Sequence, residues 1–461
     1  MHYMKIKLCL LFIGFAMSVN TFAQSKLAPN MFLHKLPNGL DVLVVEDNSV
    51  PLATVMITCK NGSFTETPKF NGLSHLYEHM FFKANKDYPT QTDFMNRVSE
   101  LGIDFNGSTT FENVNYYFTL PSANLNPGLE LMNSSIRYPL FDPQEMAKEN
   151  VVVDDEFQQH ESNPAFALLD AMDHHMWGDL YSRKNPTGDH QVIRSATPAL
   201  MDSIKNKYYF PNNSLLTIAG DVAHDAVFSD VEKLFGSWQK SGFDPLKRWP
   251  IPEFKPLDKT EYFVVKSPIA TVPIIQMEWF GPDTRHDVAA TYAADVFSYI
   301  LDQNSSKLSR ALTQSGLAQQ IDFGYLTLSH TGPITLTVIP NPNKVEACLA
   351  EVKRQINMWD SPDYITAGQL ATAKRKLEIK QIQEAEVTSD FTQVLSFWWS
   401  SASIDYYTTY NNNLNKMTQL DLQNYVRKYI KGKPYMAGLL INPGMEQQIA
   451  PARFFTVAND L

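Results

Sequence analysis

The hydrophobic pattern marks residues 40–45, 53–59, 113–120, 215–219 and 334–339 as strand candidates; where apolar and polar positions alternate, successive strand side chains point to opposite faces. The stretch 53–59, for example, carries Val55, Ile57 and Cys59 on one face. Many neighbouring strands are spaced like hairpins, and longer segments with the helical period fall between them. This pattern predicts an α+β chain and not a doubly wound parallel sheet. One unit also recurs. Thr197, Lys207 and Tyr208, followed by strand-like residues 214–219, match Thr418, Lys428 and Tyr429, followed by residues 435–441, and the three marked residues are each displaced by 221 positions. Helix and strand come in the same order both times, which predicts an internal duplication of one α/β unit. A proline-studded stretch, residues 243–256, lies where such a repeat needs a joint, giving expected domains at 24–242 and 257–461.

Length and composition agree with two domains. A chain of 461 residues, 44% hydrophobic and 19% charged, is too long for one compact core, and domains of roughly 200 residues are the natural division. The formal charge of −10 is mild and no basic run interrupts it, so the electrostatic footprint of a nucleic-acid partner is missing. At the amino terminus Lys5 and Lys7 precede an apolar run at 8–19, with small residues up to Ala23. That predicts a signal peptide at 1–23 and export to the periplasm or beyond. The run is shorter than the roughly 20 apolar residues of a membrane span and nothing later is longer, so no integral span is expected in the mature chain. Cys9 falls in the removed segment, and Cys59 and Cys348 are too few for a disulfide framework or a cysteine zinc site.

Candidate chemistry sits in the stretch 71–82. Leu73, Leu76, Tyr77, Met80 and Phe81 form one helical face, and His75, Glu78, His79 and Phe82 recur on the other. Imidazoles one turn apart can reach a single metal ion, and a carboxylate one position before the second can hold the metal's water. Catalytic zinc normally takes a third protein ligand. The best source is the segment 148–159, where Glu149 and Glu156 lie two turns apart on one face with Val152 and Val153 between them. Carboxylates among valines are costly to bury unless a cation pairs with them. A solvated acidic helix would account for Asp154 and Asp155 but fits the valines poorly.

His75-x-x-Glu78-His79, followed after 76 residues by Glu156, resembles the inverted zinc motif of the pitrilysin/insulinase family. The resemblance continues through Gly72-Leu-Ser-His, Phe82-Lys, Tyr88-Pro-Thr, Leu101-Gly, Asn106-Gly-Ser-Thr, Tyr208-Tyr-Phe-Pro-Asn-Asn and Gly220-Asp-Val222. It implies two tandem domains of the mitochondrial-processing-peptidase-like fold, each an antiparallel-rich sheet covered by helices. It also implies one Zn2+ per chain held by His75, His79 and Glu156, with Glu78 as general base and Glu149 steadying a ligand imidazole. Peptide substrates would add as a strand along the edge through Asn106 and Ser108, with Phe82 contacting the residue after the cleaved bond. His174 and His175 are expected to be structural, because adjacent histidines face different ways and no acidic residue completes a site. His160 is expected at the surface.

One departure bears on partners. Family members active alone typically carry an Arg and a Tyr in the second half that reach into the cleft near the metal, where this chain has Thr313 and Gln319. Arg310 and Tyr325 are nearby but three and six positions out of register. The resemblance therefore implies the zinc-bearing subunit of a heterodimer, with a homologous partner supplying the pair. The alternative is a noncatalytic scaffold or peptide-binding subunit of the same fold.

Overall fold

The computed structural model describes residues 27–455, so the expected signal peptide lies outside the described residues. Among them no helix is long and apolar enough to cross a membrane.

All five stretches marked as strand candidates form strands. Six strands, β1 (Met31–Lys35), β2 (Asp41–Glu46), β3 (Leu52–Cys59), β4 (Asp104–Thr109), β5 (Val114–Pro121) and β6 (Ser214–Gly220), make one sheet in the order β1-β2-β6-β3-β5-β4. Five more, β7 (Glu261–Lys266), β8 (Ile274–Phe280), β9 (Ala318–Tyr325), β10 (Pro333–Pro340) and β11 (Met436–Ile441), make a second in the order β7-β11-β8-β10-β9. Apart from β1 the two orders are the same. In each sheet one pair is parallel, β2 with β6 and β7 with β11, and every other pair is antiparallel. The chain is thus α+β and internally duplicated. The repeated segment forms helices Pro198–Tyr208 and Gln419–Tyr429, each begun by a threonine N-cap, and only Thr418 closes a side-chain capping box.

Each half buries its own core between its sheet and its helices. The opposite sheet faces are covered by exchange. Helix Thr388–Ser401, from the second half, lays Leu395 against Leu43 and Leu215 of the first sheet, while Ser396 and Ser400 bond to Thr58 and Asn113. Helix Phe166–Trp177, from the first half, packs on β11 and β7, where Leu168 meets Leu440 and the His175 ring stacks on Phe263 at 4.1 Å. The joint at 243–256 is correspondingly packed: Ile251 and Phe254 are buried with Trp177 and Met436. Periodicity shows that a helix has an apolar face but not which sheet receives it.

The close approach of helix Phe166–Trp177 depends on Gly438, where a Cβ would lie 2.6 Å from Leu168 Cδ1 and 2.7 Å from the Phe263 ring. Gly438→Val is therefore expected to lower stability by about 1–3 kcal/mol through overpacking, read as a shifted urea midpoint. Gly242→Ala, with no atom within 4 Å of the added carbon, should leave the midpoint unchanged.

Candidate metal centre

The motif segment folds as helix Leu73–Phe81, whose face of Leu73, Leu76, Tyr77, Met80 and Phe81 is buried in the first-half core. Glu66 anchors its start, accepting from the backbone N–H of Gly72 at 2.8 Å and of Ser74 at 2.7 Å. A carboxylate there satisfies free amides and complements the helix dipole.

On the other face the Nε2 atoms of His75 and His79 stand 3.2 Å apart. Glu156 Oε2, on helix Pro143–Glu161, lies 3.4 Å from His79 Nε2 and 3.8 Å from His75 Nε2. Metal–ligand bonds of about 2.0–2.1 Å in a tetrahedron give ligand–ligand edges of about 3.3–3.4 Å. The three atoms therefore fit a divalent ion, and they are the one cluster of metal-ligating side chains found among the described residues. The Glu156 side chain is 41% exposed, so the centre opens to solvent on that side.

The surroundings prepare these groups. Burial, then the charges of His79 and His160, push the His75 imidazole down to about 4, so it is neutral at neutral pH and its lone pair is free. Burial acts on His79 in the same direction, but its bond to Glu149 and the nearby carboxylates outweigh it and hold that ring above its ordinary value. Glu149 Oε1 lies 2.8 Å from His79 Nδ1, which places the N–H there and leaves Nε2 as the lone-pair atom. Lys83 Nζ meets the other Glu149 oxygen at 2.6 Å. Burial raises the Glu149 carboxyl, yet the bonds to His79 and Lys83 win and keep it below the usual range.

Glu78 stands beside the three atoms but outside the group they form. It is 8% exposed, and burial pushes its carboxyl up to about 7 against the pull of Thr109 and His79. Thr109 Oγ1 donates to Glu78 Oε2 at 2.7 Å. A Cβ at Gly107 would lie 2.6 Å from Glu78 Oε1, so β4 can pass over the carboxylate only with glycine at that position. Sequence reasoning missed Lys83, Thr109 and Glu66. Lys83, one turn beyond His79, was open to a spacing argument; the other two depend on contacts across the fold.

Several expectations change. Val152 is 49% exposed, and Asp154 is buried, accepting from Arg194 Nε at 2.7 Å with His190 Nδ1 at 2.5 Å. Glu149, Val153 and Glu156 share the face toward the motif helix, while Val152 turns to solvent, so the valine argument held for one residue only. Asn106 Oδ1 accepts from the Gly107 N–H, and Ser108 Oγ accepts from Asn115 Nδ2. Both lie on the sheet face opposite Phe105, Gly107 and Thr109, the residues that meet the motif helix. Phe82 packs in an aromatic cluster, 4.8 Å from Phe105 between ring centroids. His174 and His175 stack on Tyr181 and Phe263, although Asp170, one turn before His174, is 4.0 Å from it, an acidic neighbour the spacing argument overlooked. His160 is exposed, and its charge acts on His75. Arg310 is exposed, Tyr325 OH donates to the Pro282 carbonyl at 2.9 Å, Thr313 bonds back to Ser309, and Gln319 is exposed on β9.

The first half, residues 41–185, matches the family model described as Insulinase (Peptidase family M16), and residues 195–377 match Peptidase M16 inactive domain. The chain belongs to the M16 insulinase family. It is 28% identical over 364 residues to an uncharacterized zinc protease of Rickettsia felis, covering 77% of this chain and 84% of that one. It is 29% identical over 210 residues to a probable mitochondrial-processing peptidase subunit beta of Arabidopsis thaliana, covering 45% of this chain and 39% of the relative. A solved protease from Helicobacter pylori shares the fold with a TM-score of 0.80 at 23% identity, covering 90% of this chain and all (100%) of that one. The periplasmic protease PqqL of Escherichia coli does so at 0.70 and 15% identity, covering 94% of this chain and 51% of PqqL.

Replacing Glu149 by Gln, which removes the charge that orients His79, is expected to weaken zinc binding by about 10–100-fold. Competition against a chelating indicator measures it. An unchanged affinity would show that Glu149 has no hold on the ring.

Proposed function

We propose that this chain is a zinc-dependent endopeptidase that hydrolyses unfolded peptides, working as the zinc-bearing subunit of a heterodimer. The observation that carries the reading is the convergence of His75 Nε2, His79 Nε2 and Glu156 Oε2, with Glu78 beside them but not among them. Zinc, when bound there, lowers the pKa of its water toward about 7 and polarises a scissile carbonyl. Glu78 takes a proton from the attacking water and later returns it to the leaving amine. Thr109 fixes one Glu78 oxygen for that task, and Glu149 holds His79 in the tautomer that leaves Nε2 free. No covalent intermediate with the chain is needed.

β4 pairs only with β5, and its other edge is unpaired in the sheet. An extended peptide can add there through backbone hydrogen bonds, alongside the strand whose Gly107 lies against Glu78. Asn106 and Ser108 would then act through their main chain, and Phe82 would offer a hydrophobic wall for the residue after the cleaved bond. We also propose the domain division across residues 243–256 and export to the periplasm or beyond after removal of residues 1–23.

Two features support a partner. The helix Val288–Leu301, placed between β8 and β9 as the motif helix is placed between β3 and β4, carries no histidine. Thr313 and Gln319 stand where an Arg and a Tyr are expected, and the Tyr325 hydroxyl is committed to Pro282. A homologous subunit would supply the missing pair. A noncatalytic scaffold or peptide-binding subunit is the second reading, and the inactive-domain match favours it only for residues 195–377, a span that contains none of His75, Glu78, His79 and Glu156.

Glu78→Gln is expected to keep one zinc per chain by metal analysis while cleavage of an unstructured peptide falls about 10²–10⁴-fold. His79→Ala should lose both metal and cleavage, and full turnover in the Glu78→Gln protein would contradict the mechanism. Purified alone, the chain is expected to bind zinc but cut peptides poorly, with activity restored by the homologous subunit. High turnover by the isolated chain, with Arg310 and Tyr325 both dispensable, would refute the need for a partner.

A further inference from the structure

We infer that the pocket between the 243–256 segment and the first half binds a phosphomonoester or inorganic phosphate. The pocket, about 300 Å³, brings together Arg183, Lys207 and Arg248, with Phe70, Tyr208 and Trp249 as an aromatic wall. Arg183 is only 9% exposed. Its Nη1 donates to the Phe64 carbonyl, and the rest of the guanidinium makes no hydrogen bond or ion pair with the described residues. Lys207 Nζ lies 4.6 Å above the Phe70 ring without a carboxylate partner, and Arg248 is exposed and likewise unpaired.

A largely buried guanidinium that lines a cavity with only one N–H bonded to the chain calls for an oxyanion able to take two of the others at once.

The charge balance selects the anion. Glu66 is the one carboxylate lining the pocket, and both its oxygens are tied to the start of the motif helix. Burial pushes the Glu66 carboxyl up to about 7, so near neutral pH it offsets at most one of the three cations and leaves at least two positive charges. A phosphomonoester carries about −1.5 to −2 at neutral pH and suits that excess, whereas a carboxylate would leave at least one charge unpaired. The aromatic wall suits a flat group attached to the phosphate. None of His75, His79 or Glu156 lines the pocket, so the inference stands apart from the peptidase reading.

Calorimetric titration of the full chain with phenyl phosphate, inorganic phosphate and benzoate tests it. The expected result is one saturable site per chain, tightest for phenyl phosphate, weaker for inorganic phosphate and weakest for benzoate. Lys207→Gln and Arg248→Gln, both away from the core, should each weaken phenyl phosphate binding by about tenfold, the loss of one charge-assisted contact. Phosphate held at a metal in the zinc centre would not respond to these variants. No saturable binding of phenyl phosphate, unchanged affinity in both variants, or benzoate binding as tightly as phenyl phosphate would each overturn the inference.

Discussion

Two imidazole nitrogens held 3.2 Å apart are the constraint on which the rest of the site depends. At that separation the lone pairs of two neutral rings repel unless a proton or a cation lies between them. With Glu156 Oε2 at the third corner, a divalent ion meets all three atoms at once, which a single shared proton cannot do. Everything around the pair serves to hold it. Glu66 fixes the start of the helix, Glu149 and Lys83 fix His79, and Glu156 closes the third corner from a second helix. The base is held from a third direction, by Thr109 on β4.

The duplicated architecture explains why such a site can be supported with one face open. Each sheet gives one face to its own helices and takes a helix from the other half on its second face, so the halves cannot drift apart without exposing an apolar face of each sheet. Only the first copy carries the histidines. The equivalent helix of the second copy is mostly buried and apolar, suited to packing and not to chemistry. The first copy carries the candidate ligands, and the second covers the other face of its sheet.

Much of this was legible in the sequence, for reasons specific to each element. Residues 334–339 alternate because β10 is half-buried, whereas β2, β3 and β6 are covered on both faces and their strands read as nearly continuous apolar runs; the displacement of Thr197 to Thr418 matches two helix starts. The candidate ligands were legible because a helix places residues four and seven apart on one face. What escaped was set by tertiary contacts. Nothing in the local pattern says that Gly107 lies against Glu78, that Thr109 reaches its carboxylate, or that helices Phe166–Trp177 and Thr388–Ser401 change sides. The valine run misled for the opposite reason: Val151 and Val152 are exposed, and composition was taken for burial.

The central claim is that His75, His79 and Glu156 share one metal ion. Anomalous diffraction at the zinc edge, from crystals of the chain grown with zinc, tests it most directly. The account predicts one peak per chain, about 2.0–2.2 Å from His75 Nε2, His79 Nε2 and a Glu156 carboxylate oxygen, with Glu78 outside bonding distance. A peak bound by Glu78, a peak elsewhere in the fold, or none at full zinc occupancy in solution would contradict it.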